Sequence, residues 1–238
     1  MKLLALLLML AAVGANAGQG EMSLPVPAWE IGAVGLSTAT RAVETFSGQG
    51  YIPSNSMRRI GYYYELDGTN DILNIQQSPL ATCHTGGNWS IEFWAARNVA
   101  PGSGQEKYLM GNAIGLSHNG MLFDVYDTTA TLLFYVMPNK VNVMNLGNLT
   151  ATPQHIVVTM SSGGVCRGYR GGAFQQSVTI SGGFPTSAGT YNYTIGAVNN
   201  VGYSSARITL LRFYRVELTP AEIRSLSSDY PPDFLEGR

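Results

Sequence analysis

From Tyr62 onward the chain is a succession of short apolar and aromatic runs cut by Gly, Pro, Asn and Asp, the pattern of strands joined by turns. The clearest run, Trp89-Ser90-Ile91-Glu92-Phe93-Trp94-Ala95, alternates, which places Trp89, Ile91, Phe93 and Ala95 on one face of a strand. Before it, Tyr62 to Leu66 and Ile72 to Ile75 read as strands around an Asp67-Gly68 turn. After it come Tyr108 to Leu116, Met121 to Tyr126, Leu132 to Met137 and Val141 to Leu146. They are separated by turns at His118-Asn119-Gly120, Asp127-Thr128-Thr129 and Pro138-Asn139, and Gly147-Asn148 turns the chain again. His155 to Met160 is an almost unbroken β-forming run, which suits a strand covered on both faces. Val165 to Tyr169, Ser177 to Ile180 and Tyr191 to Ala197 follow.

The last unit, Ala206 to Leu226, changes character midway. Ile208 to Val216 has strand composition, and then Thr219, Pro220 and Glu222 form a helix start. Thr219 and Glu222 stand at the spacing of a capping box, with Pro220 at the first helical position and Leu218 and Ile223 at the positions of a hydrophobic staple. The pattern predicts one short helical turn. About a dozen strands and one helix favour an all-β, two-sheet antiparallel sandwich over any α/β fold.

The 238 residues carry a net charge of −1, so nothing electrostatic points to nucleic acid or an anionic membrane as a partner. Lys2 precedes an apolar run from Leu3 to Val13, and Ala15-Asn16-Ala17 supplies a small-x-small cleavage pattern. Residues 1–17 are therefore expected to be a signal peptide cut before Gly18, which makes the mature chain secreted and extracellular, with no integral membrane span. Residues 18–59 read as an N-terminal lead-in contributing one outer strand, residues 60–228 as the sandwich, and residues 229–238 as a polar tail. Cys83 and Cys166 are the only cysteines. In an oxidising compartment they are expected to form a disulfide, the alternatives being two buried thiols or a bridge to another chain.

Several of these segments resemble laminin-G-like domains of the concanavalin A-like jelly roll. The residues concerned are Leu66-Asp67-Gly68-Thr69-Asn70-Asp71, the aromatic strand Ile91-Glu92-Phe93-Trp94, the His155 strand, Tyr169 with its Gly171-Gly172 turn, and the closing strand with its helix. Together they span roughly residues 60 to 228 in the family's order. The resemblance implies a sandwich that recognises ligands through its end loops or one concave face.

It also raises chemistry to be weighed. Some jelly-roll relatives are glucanases with carboxylates at alternate strand positions, and Glu65-Leu66-Asp67 begins like that arrangement, but position 69 is threonine. The three histidines, His84, His118 and His155, lie in unrelated contexts with no nucleophile elbow or metal-binding pair. Laminin-G-like domains frequently bind calcium, and Asp67, Asn70, Asp71, Asp124 and Asp127 are oxygen donors in predicted turns. The same residue types dominate ordinary turns, and Thr209 stands where the family often has Asp, so the sequence assigns no metal ligand and no cofactor. Asn88, Asn148 and Asn192 head N-glycosylation acceptor triplets, a pattern that this composition produces by chance. Thirteen tyrosines, among them Tyr62, Tyr63, Tyr64, Tyr126, Tyr169, Tyr191 and Tyr203, offer ring faces for sugars, although tyrosine also simply suits half-exposed strands. The expected function is a secreted, non-catalytic recognition module for a glycan or an extracellular protein. A structural or attachment subunit of a cell-surface or virion assembly is the alternative, and a glycoside hydrolase comes third; the sequence does not set the oligomeric state.

Overall fold

The computed structural model describes residues 29–32, 51–54, 58–60, 63–75, 88–113, 120–137, 144–180, 193–214 and 216–228. In chain order the strands are β1 (Trp29–Gly32), β2 (Tyr51–Ser54), β3 (Arg58–Ile60), β4 (Tyr63–Asp67), β5 (Ile72–Ile75), β6 (Trp89–Arg97), β7 (Glu106–Gly111) and β8 (Gly120–Tyr126). They continue with β9 (Thr131–Met137), β10 (Met144–Asn148), β11 (Gln154–Met160), β12 (Val165–Arg170), β13 (Ala173–Thr179), β14 (Tyr193–Ile195) and β15 (Ser205–Tyr214), followed by helix α1 (Pro220–Ser228).

These strands make two antiparallel sheets. One has the order β13-β12-β11-β6-β15-β4-β3, with β1 as its eighth strand; the other has seven strands in the order β10-β9-β8-β7-β14-β5-β2. β15 is long enough to hold β6 along one side while β4 and then β1 share the other, residues 205–208 facing β4 and 210–213 facing β1. The closing strand and the aromatic strand are thus neighbours in the middle of a sheet. This is the all-β, two-sheet antiparallel sandwich expected from the strand pattern, in the jelly-roll form that the resemblance implies.

The alternation along β6 produces its packing directly. Trp89, Ile91, Phe93 and Ala95 all enter the core between the sheets. Across that core Phe93 meets Phe123 edge to face, with centroids 5.0 Å apart and planes at 79°, and Tyr193 meets Phe213 at 5.5 Å and 87°. Pairs of this kind contribute about 0.5–1.5 kcal/mol beyond the area they bury.

The outward positions of β6 are buried as well, and α1 packs on the same outer side of this sheet. Val157, Tyr169 and Tyr214 of the sheet pack with Leu218, Ile223 and Leu226 in a second, smaller core. Ser90 fastens the approach to the helix: its hydroxyl donates to the Val216 carbonyl at 2.8 Å and accepts the Leu218 N–H at 2.9 Å. The capping box forms as the sequence predicts. The Thr219 N–H donates to Glu222 Oε2 at 2.7 Å, and the Glu222 N–H donates to Thr219 Oγ1 at 3.3 Å.

Four expectations differ from the structure in detail. The helix runs for nine residues instead of one turn, because Ile223 and Leu226 share an apolar face that the sheet accepts. β13 begins at Ala173, not Ser177: Gly171 and Gly172 take φ of +55° and +78°, a two-residue hairpin turn that restarts pairing at once. β14 (Tyr193–Ile195) ends at Ile195, not Ala197, since the chain bends at Gly196 (φ +94°), where an added Cβ would lie 2.5 Å from the Asp71 carbonyl. Among the described residues the lead-in supplies β1 and β2, with β3 straddling its boundary with the sandwich, in place of one outer strand, each adding to an edge or an unoccupied flank of a sheet. The expected signal peptide and C-terminal tail, Cys83, His84, His118, Asn192, Tyr62, Tyr191 and the Pro138-Asn139 turn lie outside the described residues.

Candidate functional site

The register of β7, β8 and β9 sorts their side chains between the core and the opposite face. Met121, Phe123 and Val125 of β8 point inward together with Leu132, Phe134 and Val136 of β9. By the two-residue period, Leu122, Asp124 and Tyr126 point the other way, beside Tyr135, Leu133 and Thr131 respectively. On β7, Tyr108 stands opposite Asp124 and Glu106 opposite Tyr126. A bulge between Tyr108 and Met110 sends both Leu109 and Met110 into the core, so the strand keeps its inward contacts while Tyr108 stays outside.

The result is a face with a buried base and an accessible rim. Leu122, Ala113, Val198 and Tyr135 pack together at the base, with Tyr108 and Leu133 half-buried against them. Asp124 is fully buried and accepts the Lys107 N–H on Oδ1 at 3.1 Å. Tyr108 donates its hydroxyl to Glu106 Oε2 at 3.3 Å. Tyr126 is 37% exposed, and Glu106 and Tyr203 are half-buried. The segment bearing Tyr203 is held by the Tyr108 N–H, which donates to the Gly202 carbonyl at 2.6 Å. Gly202 has φ +67°, and an added Cβ would lie 2.4 Å from the Tyr108 ring, so only glycine allows this approach.

Charge and burial tune the phenols. Burial, reinforced by the nearby carboxylates of Glu106 and Asp124, pushes the Tyr108 hydroxyl up to about 12. The same causes, burial first, raise Tyr135 further. Both phenols therefore remain protonated hydrogen-bond donors across the physiological range, beside a Glu106 carboxylate that accepts. Ring faces, phenolic donors and a carboxylate acceptor on one surface are the elements that hold a sugar: the rings cover its C–H face and the polar groups meet its hydroxyls.

The residues singled out in the sequence divide between this face and other duties. Tyr126, Tyr203 and Asp124 belong to the face. Asp67 accepts the Thr69 and Asn70 N–H groups on Oδ1, while Asp71 accepts the Asp67 N–H at 2.8 Å, so both aspartates brace the β4–β5 turn. Asp127 accepts the Gly104 N–H at 3.0 Å. That backbone bond and the one from Thr128 hold its carboxyl below the usual range. No group of three or more His, Cys, Asp or Glu side chains able to hold a metal ion occurs among the described residues. Glu65, the start of the glucanase-like pattern, accepts from Asn98 Nδ2 at 3.3 Å on the other sheet.

His155 lies in a closed cluster: its Nε2 is 3.0 Å from Glu92 Oε1, while Tyr214 donates to Glu92 Oε2 at 2.6 Å. The cluster is rich in chemistry but shut off from solvent, with Glu92 0% and His155 1% exposed. Asn88 is exposed and accepts the Ser162 N–H, and Asn148 is exposed and accepts from Thr131 Oγ1. Cys166 is buried in the core, where burial pushes its thiol well above the usual range, and its expected partner Cys83 lies outside the described residues. Glu106, Tyr108 and Tyr135 were not singled out in the sequence. Their signal was the two-residue spacing of Glu106 with Tyr108, Asp124 with Tyr126 and Leu133 with Tyr135, which matters only once three strands are in register.

Residues 67–224 match the family model of laminin-G-like domains described as the concanavalin A-like lectin/glucanases superfamily. No curated protein sequence matches the chain significantly. Among solved structures, the binding domain of botulinum neurotoxin serotype D is similar at a TM-score of 0.58 and 14% identity, over 76% of this chain and 46% of that one. The binding domain of botulinum neurotoxin DC is similar in a complex with SialylT (TM-score 0.58, 13% identity, 77% of this chain and 47% of that). It is similar again in a complex with rat synaptotagmin II (TM-score 0.56, 10% identity, 75% and 45%). At these identities the likeness is one of fold, and the chain spans less than half the length of those binding domains.

Proposed function

The chain belongs to the laminin-G-like family of the concanavalin A-like lectin/glucanases superfamily, and we propose that it is a secreted, non-catalytic recognition module that binds a glycan through the tyrosine and carboxylate face of its seven-stranded sheet. One observation carries this reading: Glu106, Tyr108, Tyr126 and Tyr203 gather half-exposed rings, a phenolic donor and a carboxylate acceptor over a base that is already packed. A preformed base matters because little ordering is left to oppose binding. The toxin domain solved with SialylT lends support, as a glycan-binding protein that shares the fold.

The same face argues against turnover. Glycoside hydrolysis uses two carboxyl groups flanking the scissile bond, and Asp124, the second carboxylate here, is fully buried with an oxygen committed to a backbone N–H. An extracellular protein is the second reading, favoured by the related fold solved with synaptotagmin II. Among the described residues no helix is long and apolar enough to cross a membrane.

Export and a Cys83–Cys166 bridge are parts of the same proposal. Expression in a secreting host with mass spectrometry of the non-reduced product tests both; an N-terminus at Gly18 and a mass two hydrogens below the reduced chain are the expected results. A glycan array probed with the exported protein, with and without calcium, tests recognition. Specific signal on a restricted set of glycans supports the reading, and a blank array from folded protein moves the function to protein contacts.

A further inference from the structure

On the eight-stranded sheet, away from the tyrosine face, the β12–β13 hairpin and the start of α1 flank an open groove of about 470 Å3. Its walls include Arg167, Tyr169, Gly171, Phe174, Pro220 and Arg224. That volume falls within the range of small-ligand sites, about 300–1,000 Å3.

The groove follows from local sequence. Gly172 seats the hairpin against the helix: an added Cβ would lie 2.5 Å from Ser227 Oγ and 3.2 Å from Arg224 Cα. At Gly171 an added Cβ would meet nothing within 4 Å, so the turn opens on that side. The hairpin register then sets Phe174 opposite Tyr169. The two rings meet edge to face at 5.7 Å, leaving Phe174 56% exposed over the buried Tyr169.

Charge completes the arrangement. Arg167 is ion-paired with Glu217, which holds its guanidinium in place. Arg224 is exposed and its side chain forms no hydrogen bond or ion pair with the described residues, and none of the described residues lining the groove is acidic. A guanidinium fixed by Glu217, a second one with no side-chain partner among the described residues and an exposed ring therefore face a common space.

We propose that this groove binds a carboxylated sugar, with Arg224 gripping the carboxylate and Phe174 lying against the C–H face of the ring. A guanidinium presents parallel N–H donors that match a carboxylate, and the aromatic ring supplies an apolar partner for the sugar. A uronic or a sialic acid carries both features on one rigid ring. The site is independent of the tyrosine face, so either can fail without the other.

The test is calorimetric titration of the full chain with methyl glucuronide and with N-acetylneuraminate, each beside its methyl ester. Arg224→Gln, Phe174→Ala and Val99→Ala are compared with the wild type, and an aspartate tetrapeptide is included; Val99 is exposed and outside the groove. Binding of either acid is expected, weakened about tenfold or more in its ester and in Arg224→Gln, reduced in Phe174→Ala and unchanged in Val99→Ala. Both groove residues are exposed, so equal melting temperatures establish that the variants fold. Absence of binding by both acids, equal binding of the esters, wild-type affinity in Arg224→Gln and Phe174→Ala, or binding of the peptide alone each overturns the proposal.

Discussion

His155 Nε2 and Glu92 Oε1 lie 3.0 Å apart on the neighbouring strands β11 and β6, sealed beneath the outer face of the eight-stranded sheet. Burial alone would raise the Glu92 carboxyl. The hydrogen bond from His155, the positive charge of Arg212 at 3.4 Å, the charge of His155 and the Tyr214 hydroxyl outweigh it and hold the group below its ordinary range. With Tyr214 and Arg212 of β15, the pair fastens three adjacent strands, β11, β6 and β15, at one point.

Breaking this pair leaves a buried polar group without its partner. Glu92→Ala is expected to destabilise the fold by about 1–3 kcal/mol, the usual cost of leaving a buried hydrogen-bonding group without its partner. Urea unfolding of the variant beside the wild type measures it.

The depressed carboxyl also sets a pH dependence. Because Glu92 titrates lower in the folded chain than its ordinary value of 4.5, the stability it contributes is present above that value. It is lost as pH falls through 4.5 toward the lower folded value. Acid unfolding followed by far-ultraviolet circular dichroism is expected to show this loss in the wild type and a flatter profile through the same interval in Glu92→Gln.

Gly202 couples stability to the glycan face. Gly202→Ala forces a left-handed φ on a residue with a Cβ and drives that Cβ into the Tyr108 ring. The expected cost is about 1–3 kcal/mol. A lower denaturation midpoint together with weaker glycan binding is the predicted outcome, since Tyr108 must move.

The helix cap gives a milder variant that leaves the face untouched. Thr219→Ala removes the acceptor for the Glu222 N–H and is expected to cost about 0.5–2 kcal/mol, with binding at the tyrosine face unchanged. Thermal unfolding and a parallel binding assay check the two halves.

What could be read ahead of the structure was whatever depended on neighbours in sequence. The alternation of Trp89 to Ala95 gave the core face of β6, and Thr219, Pro220 and Glu222 gave the helix start, because period and capping are local. The length of α1 was not local: it depends on Ile223 and Leu226 finding Val157, Tyr169 and Tyr214 on distant strands. The candidate site was legible only in fragments. Asp124 and Tyr126 attracted notice as a turn oxygen and a ring, but their association with Glu106, Tyr108 and Tyr135 arises from cross-strand register, which a β7 bulge modifies. Asp67 and Asp71 looked like ligand oxygens and instead brace a turn, since backbone N–H groups compete for the same lone pairs.

The most direct test of the glycan face is the affinity of the wild type, Tyr126→Ala and Glu106→Gln for the strongest array glycan, with Val216→Ala, exposed beside the other sheet, as the control. Loss of a stacking ring is expected to weaken binding by about two- to tenfold, and loss of the charged acceptor by about tenfold or more, with the control unchanged. Wild-type affinity in both Tyr126→Ala and Glu106→Gln would contradict the account.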